Sequence, residues 1–208
     1  DRLFERFYRL AKRVIDDGRT LLDYERLYTL WMASVSMYRL GLAAAEVGMY
    51  RGGSTFFLAS ALKALSGSEP AVHGFDTFEG HPERTTESDT FHAPSMFSDA
   101  DYEDVKDYLA SFEGLQLHKG VFPESAASVS STEFGLVHVD VDLYQTTIDC
   151  LEFFGPRMPD GGIIVVDDFG ADKCPGVKKA VETYLLRDAP FIVGRWQLEQ
   201  LVLVKRTL

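Results

Sequence analysis

From residue 43 onward the sequence repeats one pattern: a short apolar run, a turn marked by glycine or aspartate, then a stretch with helical spacing. Apolar runs at 44–47, 72–75, 115–121, 135–142 and 162–167 are the expected strands. Helices are expected over 54–65, over 102–112, through Ile148, Leu151 and Phe154, and after Cys174-Pro175-Gly176, where proline suits a first helical turn. In that last helix Val177, Ala180, Val181, Tyr184 and Leu185 fall on one face. Strands separated by helices pair in parallel, because a helical crossover is what returns the chain to the same end of a sheet. The final runs, 191–196 and 200–205, are separated by too few residues for a crossover, so they should be antiparallel to each other. The expectation is an α/β protein: a doubly wound, mostly parallel seven-stranded sheet with a C-terminal antiparallel hairpin.

Two aromatic-rich helices, over 4–17 and 22–40, form a preamble (1–41) expected to pack on that sheet. A length of 208 residues suits one domain with a full core. Residues 79–100 form the long irregular stretch, with His81, Pro82, His92 and Pro94, and loops of that length are often lids.

A net charge of −11 argues against a nucleic-acid-binding face and against docking on an anionic membrane, both of which need basic patches. A solvated acidic surface accounts for the charge by itself. No apolar run is long enough to span a bilayer, and no signal-peptide pattern opens the sequence, so a cytoplasmic protein is expected. Cys150 and Cys174 read as two structural thiols rather than a disulfide.

The loop Glu46-Val47-Gly48-Met49-Tyr50-Arg51-Gly52-Gly53-Ser54 follows the first strand. Its G-x-x-x-G-G spacing is not the G-x-G-x-x-G that seats a dinucleotide pyrophosphate. An acid before such a loop suits a ligand with an amine and no phosphate, such as the methionine part of S-adenosylmethionine. A structural turn with Glu46 in a salt bridge explains the loop equally well when it is taken alone. Gly74-Phe75-Asp76 then ends the second strand in a carboxylate, placed where nucleoside-binding folds hold ribose hydroxyls. NAD remains compatible with that acid, but the missing pyrophosphate fingerprint counts against it. Gly48, Tyr50, Gly52, Ser54, Thr77 and Phe122 complete the candidate cofactor set around Glu46 and Asp76.

His138-Val139-Asp140-Val141-Asp142 and Val165-Val166-Asp167-Asp168 end two central strands. Residues two apart on a strand share a face, so His138, Asp140 and Asp142 are expected to point the same way. Four carboxylates at one sheet edge repel unless protons or a cation neutralise them. Oxygen donors without cysteine point to Mg²⁺ rather than Zn²⁺. Helix capping could explain Asp142 or Asp168 singly, but not all four.

The runs EVGMYRGGST, GFDTFEGHPE, KGVFPES, HVDVDLYQTT, GGIIVVDDFG and CPGVKKAV together resemble the macrocin O-methyltransferase family, over about residues 46–181. The resemblance implies a class I methyltransferase fold and methylation of hydroxyls on sugars of antibiotics. It implies that Asp140, Asp167 and Asp168 match metal ligands, that Asp142 matches the general base, and that Glu46 and Asp76 match cofactor-binding acids. The expected ligands are S-adenosyl-L-methionine, Mg²⁺ or another divalent cation, and a small-molecule sugar or glycoside; a homo-oligomer is compatible with the sequence.

Of the histidines, His138 and His118 read as core residues, and His81 as the one that touches substrate. A catechol-type enzyme is the nearest enzymatic alternative; it usually carries a lysine shortly after its first metal aspartate, where this chain has Val141, Asp142, Leu143 and Tyr144. A non-catalytic nucleoside- or metal-binding module is the alternative from another class.

Overall fold

A computed structural model describes residues 2–83, 85–187 and 189–206. Two helices come first, α1 (Arg2–Asp16) and α2 (Tyr24–Met37). Asp23 starts α2 by accepting the backbone N–H groups of Glu25 and Arg26, which satisfies two donors the helix itself leaves open. Then follow β1 (Ala43–Val47), α3 (Gly53–Ser66), β2 (Val72–Asp76), α4 (Tyr102–Leu109), β3 (Leu115–Lys119), β4 (Phe134–Val139), α5 (Tyr144–Phe154), β5 (Ile163–Val166), α6 (Pro175–Leu185), β6 (Phe191–Gln197) and β7 (Gln200–Lys205).

The strands form one sheet in the order β3-β2-β1-β4-β5-β7-β6. The first five pair in parallel, and β7 runs antiparallel to both β5 and β6. Leu198 and Glu199, both at positive φ, make the tight turn of that hairpin. Strands β1, β4 and β5 are buried along their whole length, as expected of strands covered on both faces. One apolar layer gathers Phe7, Leu27, Leu30, Trp31, Phe57 and Leu58 from the first three helices. The other gathers Phe75, Phe134, Phe154, Ile164, Val177 and Val181 beneath α5 and α6. The helices of the preamble thus share the first core, with α2 packed on α3, β4 and β5. No helix of the described residues is long and apolar enough to cross a membrane. Both cysteines are free and buried.

Three strands end earlier than the apolar runs suggest, the fifth by one residue at Val166. The third stops at Lys119, because Gly120 at φ +137° turns the chain. The fourth stops at Val139 rather than Asp142. Asp140 N–H still donates to Val47 O at 3.0 Å, but Leu143 N–H closes on Val141 O at 2.6 Å and Asp142 takes φ +62°. The run is therefore not extended through Asp142, and strand alternation is not what relates Asp140 to Asp142. A left-handed turn, which aspartate tolerates better than most residues, carries Asp142 round to the start of α5.

The winding reverses between β1 and β4, and in such sheets the crevice beyond the carboxyl ends at that reversal is the ligand site. The stretch from 79 to 100 lies over it and is pinned in its middle. Asp89 is buried; its Oδ2 accepts Thr86 N–H at 2.7 Å, and its Oδ1 accepts Tyr144 N–H at 2.8 Å, in the first turn of α5. Leu143 makes no side-chain cap there, so Asp89 supplies one from across the fold. A Cβ on Gly176 would overlap that Asp89 oxygen and come 2.9 Å from Tyr144 N, which leaves room at this junction for glycine alone.

Candidate active site

A cavity of about 550 Å³ opens at the reversal point. Its size is that of small-molecule sites in general. Of the residues singled out from the sequence, Gly48, Tyr50, Asp76, Thr77, Phe122, Asp140, Asp142 and Asp168 line it. Glu46, Gly52, Ser54 and Asp167 do not line it.

The glycine-rich loop is shaped by close approach. Gly48 sits at φ +89°, and a Cβ there would lie within the carbonyl oxygen of Asp140 and 2.8 Å from its carbon. Asp76 organises the loop from β2: Oδ2 accepts Tyr50 N–H and Oδ1 accepts Phe78 N–H, both at 2.8 Å. Burial pushes its carboxyl up, and these backbone donors pull it back. Met49 N–H is a third backbone donor to the same carboxylate, which lines the cavity.

Glu46 is fully buried, hydrogen-bonded to Thr55 Oγ1 and 2.7 Å from His138 Nδ1. Burial pulls the His138 imidazole down most, but the bond to Glu46 and the charges of Glu46, Asp167 and Asp168 together outweigh it, and the net shift is upward. His138 is a hydrogen-bonded core residue, as its place in the strand suggests. His118 pairs with His73 at 3.0 Å and stacks on Phe75.

The four aspartates do converge. Burial first, then Asp167, Asp168 and Asp142, hold the Asp140 carboxyl well above the usual carboxylate range. Burial and the neighbouring Asp168 push Asp142 up to about 8. Burial pushes Asp167 up to about 6, against the pull of His138. Asp168, like Asp142, adopts a left-handed turn conformation, at φ +56°. Backbone in that region at two of the clustered acids is a cost the surrounding contacts must hold in place.

Sequence reasoning missed Arg26. It reaches down from α2 to place Nη1 3.0 Å from Asp167 Oδ2 and 3.3 Å from Asp168 Oδ1, while Nη2 lies 3.0 Å from Glu199 in the β6–β7 turn. Burial opposes its charge, but the field of Asp167, Asp168 and Asp140 outweighs burial and keeps it ionised. It also missed His92 and Cys174, which meet Asp142 on the cavity wall. His81 lines the cavity, 3.4 Å from Asp142 Oδ2, and burial holds its imidazole down at about 4.

The residues fit a divalent cation. Asp167 Oδ1 and His138 Nε2 are buried polar atoms without a hydrogen-bond partner, and ligand atoms of His138, Asp140 and Asp167 lie within 4.8 Å of one another. Arg26 occupies the other oxygen of Asp167 and leaves Oδ1 available.

The raised carboxyls give a pH dependence whose sign is fixed. Without a cation the folded chain keeps protons on Asp140 and Asp142 that the unfolded chain, near pKa 3.9, has lost. Stability therefore falls as pH rises through the folded values. The depressed histidines, His81 among them, act in the opposite direction, but only below about pH 6.5, where the unfolded imidazole gains its proton. Thermal melting in EDTA should give a lower Tm at about pH 8.5 than at about pH 7, by about 2–4 °C for each kcal/mol lost. Because ligating carboxylates must be ionised, Mg²⁺ should raise Tm more at the higher pH. Equal melting at the two pH values, with no Mg²⁺ effect, would contradict a cation-binding cluster.

Known proteins resemble the chain in both sequence and fold. The family model described as Macrocin-O-methyltransferase (TylF) matches residues 17–189. The chain is 30% identical to the 8-demethyl-8-(2,3-dimethoxy-alpha-L-rhamnosyl)-tetracenomycin-C 4'-O-methyltransferase of Streptomyces olivaceus, over 80% of this chain and 67% of that one. It is 25% identical to the mycinamicin III 3''-O-methyltransferase of Micromonospora griseorubida, over 80% and 70% of the two chains. Its fold superposes on the O-methyltransferase NovP with a TM-score of 0.76 at 21% identity, over 91% of this chain and 83% of that one.

Proposed function

Given that the chain belongs to the macrocin O-methyltransferase family and is an O-methyltransferase, we propose that it moves a methyl group from S-adenosylmethionine to a sugar hydroxyl of a natural-product glycoside, with a divalent cation, Mg²⁺ by its donor set. The observation that carries this reading is the shared cavity: Gly48 and Asp76 line it together with Asp140, Asp142 and Asp168. A nucleoside site and an acid cluster facing one space is what a methyl transfer assisted by carboxylates requires.

Asp76 takes the ribose hydroxyls from its place on the cavity wall, while Gly48 and Tyr50 let the loop backbone close on the methionine portion. Glu46, which does not line the cavity, holds Thr55 and His138 in place beneath the loop. Asp140, Asp167 and Asp168 would hold the cation, with Asp167 Oδ1 as the oxygen most clearly left for it. When bound, the cation lowers the pKa of a hydroxyl and stabilises charge developing on its oxygen. Asp142 accepts the hydroxyl proton as the oxygen takes the methyl from sulfur, leaving S-adenosylhomocysteine. Arg26 bridges Asp167 and Asp168 and limits their mutual repulsion. Phe91 and Phe97, both partly exposed on the cavity wall, offer flat apolar surfaces to the acceptor.

Transfer of labelled methyl from S-adenosylmethionine to a panel of deoxysugar glycosides and catechols tests the reading. Label should appear on glycosides, stop in EDTA and return with Mg²⁺, while S-adenosylhomocysteine binding persists throughout. Full transfer in thoroughly chelated protein would remove the cation from the mechanism, and label on catechols alone would replace the acceptor class.

A further inference from the structure

Asp142 has a second set of neighbours that methyl transfer does not call for. His92 comes from the 79–100 stretch and Cys174 from the start of α6, and both are buried. Cys174 Sγ lies 3.3 Å from His92 Nε2 and 3.4 Å from Asp142 Oδ1, and His92 Nε2 lies 3.7 Å from the same Asp142 oxygen. Three donor atoms from three distant segments thus form a nearly equilateral triangle. Tetrahedral coordination with bonds of about 2.0–2.3 Å sets ligand atoms about 3.3–3.8 Å apart, so this triangle has the edges of one tetrahedral face.

The surroundings match such a face. His81 Nε2 lies 3.0 Å from His92 Nδ1 and 3.4 Å from Asp142 Oδ2. A histidine ligand commonly has its outer nitrogen held by a neighbour in this way, which fixes the ring with the other nitrogen facing the ion. Burial lowers both His81 and His92, and neutral imidazole is the ligating form. His92, Cys174 and Asp142 all border the cavity, so a fourth position is open to water or solute. Thiol, imidazole and carboxylate together suit a borderline-soft ion, unlike the oxygen-rich cluster beside them.

We propose that His92, Cys174 and Asp142 form a second metal site, selective for Zn²⁺-class ions through its sulfur and nitrogen donors, which adjoins the cluster of Asp140, Asp167 and Asp168 at Asp168. Binding releases the Cys174 thiol proton to solvent as the sulfur–metal bond forms, with no change of oxidation state. Ligation draws charge from the Asp142 carboxylate and makes it a weaker base, so an ion here slows methyl transfer; that consequence, unlike the site itself, rests on the role proposed above for Asp142.

Co²⁺, an absorbing substitute for Zn²⁺, reads the site directly. Titrated into the protein in excess Mg²⁺, Co²⁺ should produce a thiolate-to-metal charge-transfer band in the near ultraviolet, which Zn²⁺ then bleaches. The band should vanish in Cys174→Ser and in His92→Ala, the second variant keeping both thiols. It should persist in Cys150→Ser, which removes the only other cysteine, and in Asp140→Asn. Melting curves of each variant separate loss of the ion from loss of the fold. No band in the wild-type protein, or a band that survives Cys174→Ser, overturns the site and leaves a hydrogen-bonded triad. The band is read without any acceptor, so failure of glycoside methylation does not touch it. Full methyl transfer with the band fully formed would overturn the inhibition alone.

Discussion

Asp142→Asn should lower turnover by about 10²–10⁴-fold, the usual contribution of a positioned general base, while leaving Mg²⁺ affinity near that of the wild-type protein. The amide keeps the size of the carboxylate and its turn, whose φ of +62° asparagine tolerates as well as aspartate. What it loses is the capacity to take a proton. Asp140→Asn should fail differently, because it removes a charge from the group of acids around Asp167 and Asp168. Its rate should recover in part at higher Mg²⁺. Steady-state rates across a Mg²⁺ series, with ion affinity measured by calorimetry, separate the two. Rescue of Asp142→Asn by Mg²⁺, without rescue of Asp140→Asn, would reverse the two roles.

Gly48→Ala should all but abolish binding of S-adenosylhomocysteine, by about 100-fold or more, and destabilise the fold by roughly 2–5 kcal/mol. Two costs add. Alanine at φ +89° pays about 1–2 kcal/mol for left-handed backbone, and overpacking typically adds about 1–3 kcal/mol. The clash is with backbone, the carbonyl of Asp140, and so no side chain can turn away to relieve it. Relief requires β1 and β4 to part at their carboxyl ends, and the same movement displaces Asp140. Calorimetry with S-adenosylhomocysteine and a urea melt measure both effects; near wild-type affinity would show that the loop does not need this approach.

Much of the fold is legible in the sequence. Apolar runs joined by helices dictated the parallel strands, the short link after residue 196 dictated the hairpin, and the acids at strand ends fell beside the glycine-rich loop because the topology puts those ends together. Contacts between distant segments were not legible. Arg26 is 141 residues from Asp167, and nothing in the local pattern of α2 marks it for a buried ion pair. Cys174 and His92 are 82 residues apart and meet only because the irregular stretch is held down at Asp89. Glu46 carried both a ligand-binding and a salt-bridge reading, and its partner His138 became visible only once β1 and β4 were in register. The end of β4 escaped because alternation of apolar and acidic residues continues through Asp142 while the backbone does not.

Asp89 also bears on how this enzyme could be re-engineered. Its hydrogen bond to the first turn of α5, set against Gly176, divides the stretch above the cavity into two spans with a common fixed point. His81 lies on one span, and Phe91, His92 and Phe97 lie on the other. His81 also exchanges backbone hydrogen bonds with Ser95 and Met96 across the two spans, so segments grafted from a relative to change the acceptor must carry both spans as one piece, with Asp89 and Gly176 unchanged. A graft that shifts the spacing at Asp89 by a single residue would detach both spans from the helix together, whatever acceptor-facing side chains it brought with it.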